Sequence, residues 1–188
     1  MIDENNWRKN KGKKINLPID KNTRPLRDLV KESIFNLIEH SNKFNVSILN
    51  SVVLDLFSGT GSFGLECFSR GAKFITFVEN YPHILDILKK NISQMNASSS
   101  SEIIENNCFE LIENNKKFSK KFDIIFLDPP YRDKNINLLI NQIIDQKILK
   151  KNGIVLIHRH KKDDIIITSK LNILDTRKYG ISKIIIGN

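Results

Sequence analysis

Asp128-Pro129-Pro130-Tyr131 sets one carboxylate, two stiff rings and one phenol in consecutive positions, directly after the apolar run Phe122-Asp123-Ile124-Ile125-Phe126-Leu127. That run reads as a buried strand, and it must stop where prolines can no longer donate to a sheet ladder. The group is thereby fixed at the carboxyl end of a central strand, the edge where open α/β sheets hold their ligands. A carboxylate and a ring held side by side can bind a flat heterocycle that carries an amine. The same four residues alone also make a plain Asp-Pro turn, so their meaning depends on what else reaches that edge.

A second motif lies upstream: Val52-Val53-Leu54-Asp55-Leu56-Phe57-Ser58-Gly59-Thr60-Gly61-Ser62-Phe63-Gly64. An apolar strand runs into a glycine turn, and an amphipathic stretch from Phe63 to Arg70 follows. Gly59 and Gly61 allow backbone angles that a Cβ forbids and let a ligand approach, and Gly64 lets the helix pack tightly on the strand. The glycine spacing fits the dinucleotide fingerprint. Its surroundings do not. Asp55 lies at the strand end, and Phe57, Ser58 and Thr60 fill the turn. A carboxylate there repels a pyrophosphate and suits a cationic ligand, such as the ammonium and sulfonium of S-adenosylmethionine. The alternative for Asp55 is a helix-capping or turn acid.

Two further segments complete this half of the edge. The apolar strand Phe74 to Val78 ends in Glu79, followed by Asn80, and an acid at that distance from the first glycine accepts bonds from ribose hydroxyls. Its alternative is a solvated strand-end acid. A third strand, Glu102 to Glu105, leads to Asn106-Asn107-Cys108-Phe109, where Asn107 and the Cys108 amide can meet an adenine edge. An Asn pair also makes an ordinary helix cap.

The elements that must position these groups follow from the rest of the chain. Its 188 residues suggest one domain with a core of ordinary size. Strands near 52–57, 73–78, 102–105, 122–127 and 153–158 alternate with helices, the pattern of a parallel sheet with helices on both faces. Leu26, Leu29, Val30, Ile34, Leu37 and Ile38 recur at helical spacing after a Thr23-Arg24-Pro25 entry, so a helix from Leu26 to Ile38 lays one face on the body. Towards the end, Ile165 to Ile167, Leu171 to Leu174 and Ile184 to Ile186 read as strands, with a turn at Tyr179-Gly180. They predict a closing antiparallel hairpin at one sheet edge.

Charge is unevenly spread. The net charge is +9, yet between Trp7 and Arg27 eight cations face one carboxylate, a net +7. Residues 1–22 therefore read as a basic arm and 23–188 as the domain. Arg8, Lys11, Lys13, Lys14, Arg24 and Arg27 make the footprint of a polyanion partner, with a solvated tail as the alternative. Trp7 could stack on a base or sugar. No apolar run is long enough to span a membrane, and the N-terminus lacks the apolar core of a signal peptide, so a cytoplasmic protein is expected. Cys67 and Cys108 have no metal-ligand spacing, so neither a metal site nor a structural disulfide is expected, and Cys67 falls in the core.

Together, the Asp-x-Phe-x-Gly-x-Gly turn, the acid after strand two and Asp-Pro-Pro-Tyr after strand four resemble class I S-adenosylmethionine-dependent methyltransferases of exocyclic amines. Asn22-Thr23-Arg24-Pro25, Arg27-Asp28, Lys31-Glu32-Ser33-Ile34-Phe35-Asn36 and Arg177-Lys178-Tyr179-Gly180 resemble the RsmD-type 16S rRNA guanine-N2 methyltransferases. The resemblance covers nearly the whole chain. The short apolar first strand usual in that family is absent, Leu26-Arg27 replaces its Thr-Thr, and His158-Arg159-His160 stands where many members place a Glu. A His pair at a strand end is more often structural, and no role is assigned to it.

The resemblance implies a Rossmann-like α/β fold, with a mostly parallel seven-stranded sheet, helices on both faces and an antiparallel C-terminal hairpin. It implies methyl transfer from S-adenosylmethionine, yielding S-adenosylhomocysteine, to a guanine N2 amine of 16S rRNA or a small-subunit particle by a monomeric enzyme. Asp128 and the Pro129 carbonyl would accept from the amine, the stiff Pro129-Pro130 turn would hold both acceptors, and Tyr131 would stack on the base. Asp128 would also edge the cofactor site. An adenine-N6 methyltransferase on RNA or DNA could use the same turn, but more often carries Asn at the place of Asp128. A non-catalytic ribosome-assembly factor would not need Asp55, Gly59, Gly61, Glu79 and Asp128 together. An NAD-dependent oxidoreductase conflicts with Asp55.

Overall fold

The computed structural model describes residues 15–17, 28–113, 118, 120–130, 133–164 and 166–188. Tyr131 and the arm cations Arg8, Lys11, Lys13, Lys14, Arg24 and Arg27 lie outside the described residues. The chain runs α1 (Asp28–His40), β1 (Val52–Leu56), α2 (Ser62–Ser69), β2 (Phe74–Glu79), α3 (Pro82–Gln94), β3 (Ser101–Glu105), α4 (Cys108–Glu113) and β4 (Phe122–Leu127). It continues through α5 (Ile136–Asp145), β5 (Leu149–His160), β6 (Ile173–Tyr179) and β7 (Ser182–Gly187).

All strands join one seven-stranded sheet in the order β3-β2-β1-β4-β5-β7-β6. The first five are mutually parallel, and β7 runs antiparallel between β5 and β6. Because strand side chains alternate, β1, β4 and β5 each feed two cores. Val53, Phe126, Ile154 and Leu156 pack into a core shared with α1, α2 and α3. Leu54, Leu127, Val155 and Ile157 pack into a second one shared with α4 and α5. Helices thus cover both faces, as an all-apolar parallel strand requires.

Local packing follows the sequence closely around the first motif. A Cβ on Gly64 would sit 2.4 Å from Phe77 Cε1 and 2.8 Å from Ile75 Cγ2, so only glycine lets α2 lie this near β2. Phe35 of α1 stacks on Phe63 of α2 at 5.3 Å, and Phe63 stacks on Phe126 of β4 at 4.1 Å. This line of rings ties the N-terminal helix through α2 to the strand that carries Asp128. Cys67 is buried in the same core. No helix among the described residues is long and apolar enough to cross a membrane.

Two expectations are corrected. The strand expected at 153–158 runs from Leu149 to His160. Leu149 pairs with Phe122 of β4, the register shifts across the Lys-Lys-Asn-Gly segment before Ile154 pairs with Ile124, and Val155 to His160 pair with β7. Ile166 and Ile167 form no strand. Asn137 of α5 takes their backbone instead: its amide donates to the Ile166 carbonyl at 2.8 Å and its carbonyl oxygen accepts from the Thr168 amide at 3.0 Å. The segment is strapped to a helix, and Ile166 is left 87% exposed.

Candidate active site

The expected site residues that the structure describes lie at one edge of the sheet, where β1, β2, β3 and β4 end. The connection from β1 leads to β2 on one side, whereas β4 lies on its other side. This reversal of winding opens the crevice in which α/β sheets bind ligands. Asp55 and Asp128 stand on the two strands that flank it.

The β1 side is organised by backbone amides. Asp55 is 1% exposed, and its Oδ2 accepts from the Gly64 amide at 2.9 Å. It thereby does from a neighbouring strand what an N-cap side chain does for a first-turn amide. Burial holds the Asp55 carboxyl well above the usual carboxylate range; the Gly64 amide opposes this, and the charges of Asp128 and Glu79 add to it. Phe57 leaves the ladder with φ 59°, an angle rare outside glycine, and Gly59 and Gly61 follow at 53° and 82°. Glu79 closes the turn: Oε2 accepts from Gly59 at 2.8 Å, and Oε1 from Asn80 at 2.9 Å and Tyr81 at 3.0 Å.

The remaining first-motif residues serve the turn as well. The Ser58 hydroxyl donates inward to the Val78 carbonyl at 3.3 Å. The Thr60 carbonyl accepts from the buried Asn91 at 2.9 Å. The Phe57 amide donates to Cys108 Sγ at 3.3 Å, and burial pushes that thiol up. Asn107 caps α4, with Oδ1 accepting from the Phe109 amide at 2.9 Å. Asn80 is exposed at the rim.

The β4 side is organised by side chains. Asp128 Oδ1 lies 2.8 Å from His158 Nδ1, and the other ring nitrogen, Nε2, lies 2.9 Å from the Ser182 hydroxyl. A carboxylate can only accept, so Nδ1 donates. Next to His158, Arg159 is 1% exposed and turns to the other face. It pairs with Asp163 and donates to the Pro130 carbonyl at 3.3 Å and the Asp133 carbonyl at 3.0 Å. The Pro130 carbonyl also accepts from the Asp133 amide at 2.9 Å, so both of its lone pairs are engaged.

Sequence reasoning missed His158, Arg159, Ser182 and Asn91. His158 and Arg159 stood out as polar residues at the end of an apolar strand, but the register that gives them and the others their partners is not written in any one segment. It also missed the docking of the arm. Asn16 donates its backbone amide to Asn91 Oδ1 at 2.7 Å, and Asn91 returns a bond to the Asn16 carbonyl at 3.0 Å. One stretch of the arm is thus fixed to the residue that holds the Thr60 carbonyl.

A seven-stranded sheet of this order, with a glycine turn after β1 and an acid after each of β2 and β4, defines a class I Rossmann-like methyltransferase fold. An RNA methyltransferase from Salinibacter ruber, solved in complex with S-adenosyl-L-homocysteine, shares it at TM-score 0.64 and 14% identity, over 87% of this chain and 92% of that one. The chain belongs to the family described as Conserved hypothetical protein 95, which matches residues 9–188. Ribosomal RNA small subunit methyltransferase D of Buchnera aphidicola subsp. Acyrthosiphon pisum is 37% identical over 157 residues, 84% of this chain and 78% of that protein. The structure of a conserved hypothetical protein of Streptococcus pyogenes matches at TM-score 0.72 and 28% identity, covering 84% of this chain and 94% of that one.

Proposed function

We propose that this chain methylates the exocyclic N2 amine of a guanine in 16S rRNA with S-adenosylmethionine as donor. It acts as a single cytoplasmic chain on the RNA or on a small-subunit particle. The observation that carries the reading is Asp128: it sits beside the glycine turn with Oδ1 held by His158, and its side chain is still 21% exposed. Bound at the turn, S-adenosylmethionine supplies a methyl group made electrophilic by the sulfonium. The local field suits such a cation, since Asp55, Glu79 and Asp128 lie close enough for their charges to act on one another.

Each residue then has a task. Asp55 and Glu79 shape the turn; Glu79 supplies negative potential under the donor, and Asp55 adds to it when the donor's charge draws off its proton. Three amides occupy Glu79, out of about four acceptor positions on a carboxylate, which leaves one for a ribose hydroxyl. The Cys108 amide and Asn107 border the adenine, with Asn107 spending its side chain on the cap. Asp128 and the Pro129 carbonyl accept from the amine and turn its lone pair to the methyl, and Tyr131 stacks on the base. The nitrogen pair forms the new N–C bond as the C–S pair returns to sulfur. The methylated amine then gives its proton to Asp128 or to water. Such positioning can supply several kcal/mol, on the order of the proximity effect in other enzymes. The base must leave its stack to enter, and the basic arm 1–22 grips the surrounding phosphates.

The test is transfer of a tritiated methyl group to small-subunit RNA and particles from a strain lacking this gene, followed by nucleoside analysis. N2-methylguanosine is the expected product. Methyladenosine would assign the adenine as the base, and bound donor without transfer would make the chain a binding factor.

A further inference from the structure

Once the chain beyond Asp128 is fixed, only the torsions of the carboxylate remain free. Arg159 fixes that chain: a fully buried guanidinium, paired with Asp163, holds the carbonyls of Pro130 and Asp133. The Asp128 amide also reaches the Leu56 carbonyl, at 3.4 Å. Register explains what meets the carboxylate. Phe126 pairs with Leu156 and Leu127 with Ile157, so the next step sets Asp128 opposite His158 on the same sheet face.

We infer that His158 is a positioning residue for methyl transfer, locking Asp128 Oδ1 so that Oδ2 is presented to the substrate amine. The inference rests on the methyl-transfer reading above. His158 is buried, and both ring nitrogens are engaged: Nδ1 with Asp128, Nε2 with Ser182. A flip of the ring would break both contacts, so the Ser182 hydroxyl selects the orientation that faces Asp128. Among the described residues no donor reaches Asp128 Oδ2. The carboxylate therefore has, among the described residues, one oxygen spent on the protein and one left for a ligand. A residue that only filled the core would need neither contact, since Ile154 and Leu156 fill the same face of β5 with carbon alone.

Positioning of this kind shows in turnover rather than in binding, because an amine accepted at a wrong angle still binds. The test uses the full chain with a small-subunit particle, and measures kcat, KM for the particle and Kd for S-adenosylmethionine by calorimetry. His158→Phe should lower kcat about 10²-fold, the cost of a small misplacement at a reacting centre, with KM and Kd unchanged. His158→Asn, whose amide can still donate near the Nδ1 position, should recover most of that loss. A His158→Phe enzyme as fast as the wild type would overturn the assignment, as would equal losses in both variants or a loss carried by Kd. Should His158→Phe not fold, Ser182→Ala decides: a fall in kcat alone supports the assignment, and an unchanged kcat overturns it. An inactive wild-type chain that binds the donor would instead overturn the methyl-transfer reading itself.

Discussion

The two flanks of the crevice hold their carboxylates by different means. On the β1–β2 flank, Asp55 and Glu79 are fixed by amides of the Gly64, Gly59, Asn80 and Tyr81 backbone. On the β4–β5 flank, Asp128 is fixed by His158, its ring by Ser182, and its turn by Arg159. A flank made of backbone depends on where glycines permit the turn and is indifferent to most side chains around it. A flank made of side chains depends on each partner, since His158 and Ser182 must both be present to hold Asp128. The first suits an invariant donor. The second suits a substrate turn that must be tuned.

The sharpest way to break the comparison is Asp128→Ala. On the division above it should lower kcat by about 10²–10³-fold, the range for losing one preorganised polar group at a reacting centre. Donor affinity should stay nearly intact, read by calorimetry. Loss of donor binding as well would mean that the two flanks form one site. Neutralising Lys11, Lys13 and Lys14 is next in size. If these cations meet phosphates, the salt dependence of RNA binding should flatten by about one unit of slope for each. An unchanged slope makes the arm a solvated tail. Because Asn16 bonds to Asn91 and Asn91 holds the Thr60 carbonyl, the same variant also shows whether arm and donor turn communicate. A separate arm leaves donor affinity unaltered.

Gly64→Ala probes the backbone flank through stability. Its new methyl meets the Phe77 ring and the Ile75 side chain, and forcing a methyl into a packed core costs roughly 1–3 kcal/mol. The melting temperature should fall, and donor affinity with it, because Gly64 also donates to Asp55. A neutral result would mean that α2 can retreat from β2 without disturbing the turn.

Legibility in the sequence divides along the same line. The places of Asp55, the glycines and Glu79 at the sheet edge could be read because each ends or follows an apolar run, although the backbone amides that the two acids hold could not. The alternation of strands and helices could be read because a parallel strand buried on both faces is apolar throughout. Asp128 could be read because two prolines announce the end of its strand. Its partners could not. His158 lies 30 residues beyond Asp128 and Ser182 a further 24, and only the β4–β5–β7 register brings them together. Ile166 and Ile167 were misread for a related reason. Their apolar pattern is that of a strand, but the competing partner is one amide on α5, which no local pattern reveals.

Asp55 offers the finest test, because it separates what a residue does for the fold from what it does for the ligand. Burial, chiefly, raises its carboxyl above the usual range. A carboxyl so raised binds its proton more tightly folded than unfolded. Its contribution to stability is full below the unfolded value and is lost as pH rises through the folded one. Asp55→Asn keeps an acceptor for the Gly64 amide and removes the titration. Thermal melts should therefore show the variant gaining on the wild type as pH rises above the usual carboxylate range. A cationic donor acts in the opposite sense, since it favours the ionised acid. S-adenosylmethionine should accordingly stabilise the wild type more than the variant at the higher pH. Parallel pH curves would mean that Asp55 titrates like an exposed acid, and equal stabilisation by donor would reduce it to a turn residue that the ligand does not sense.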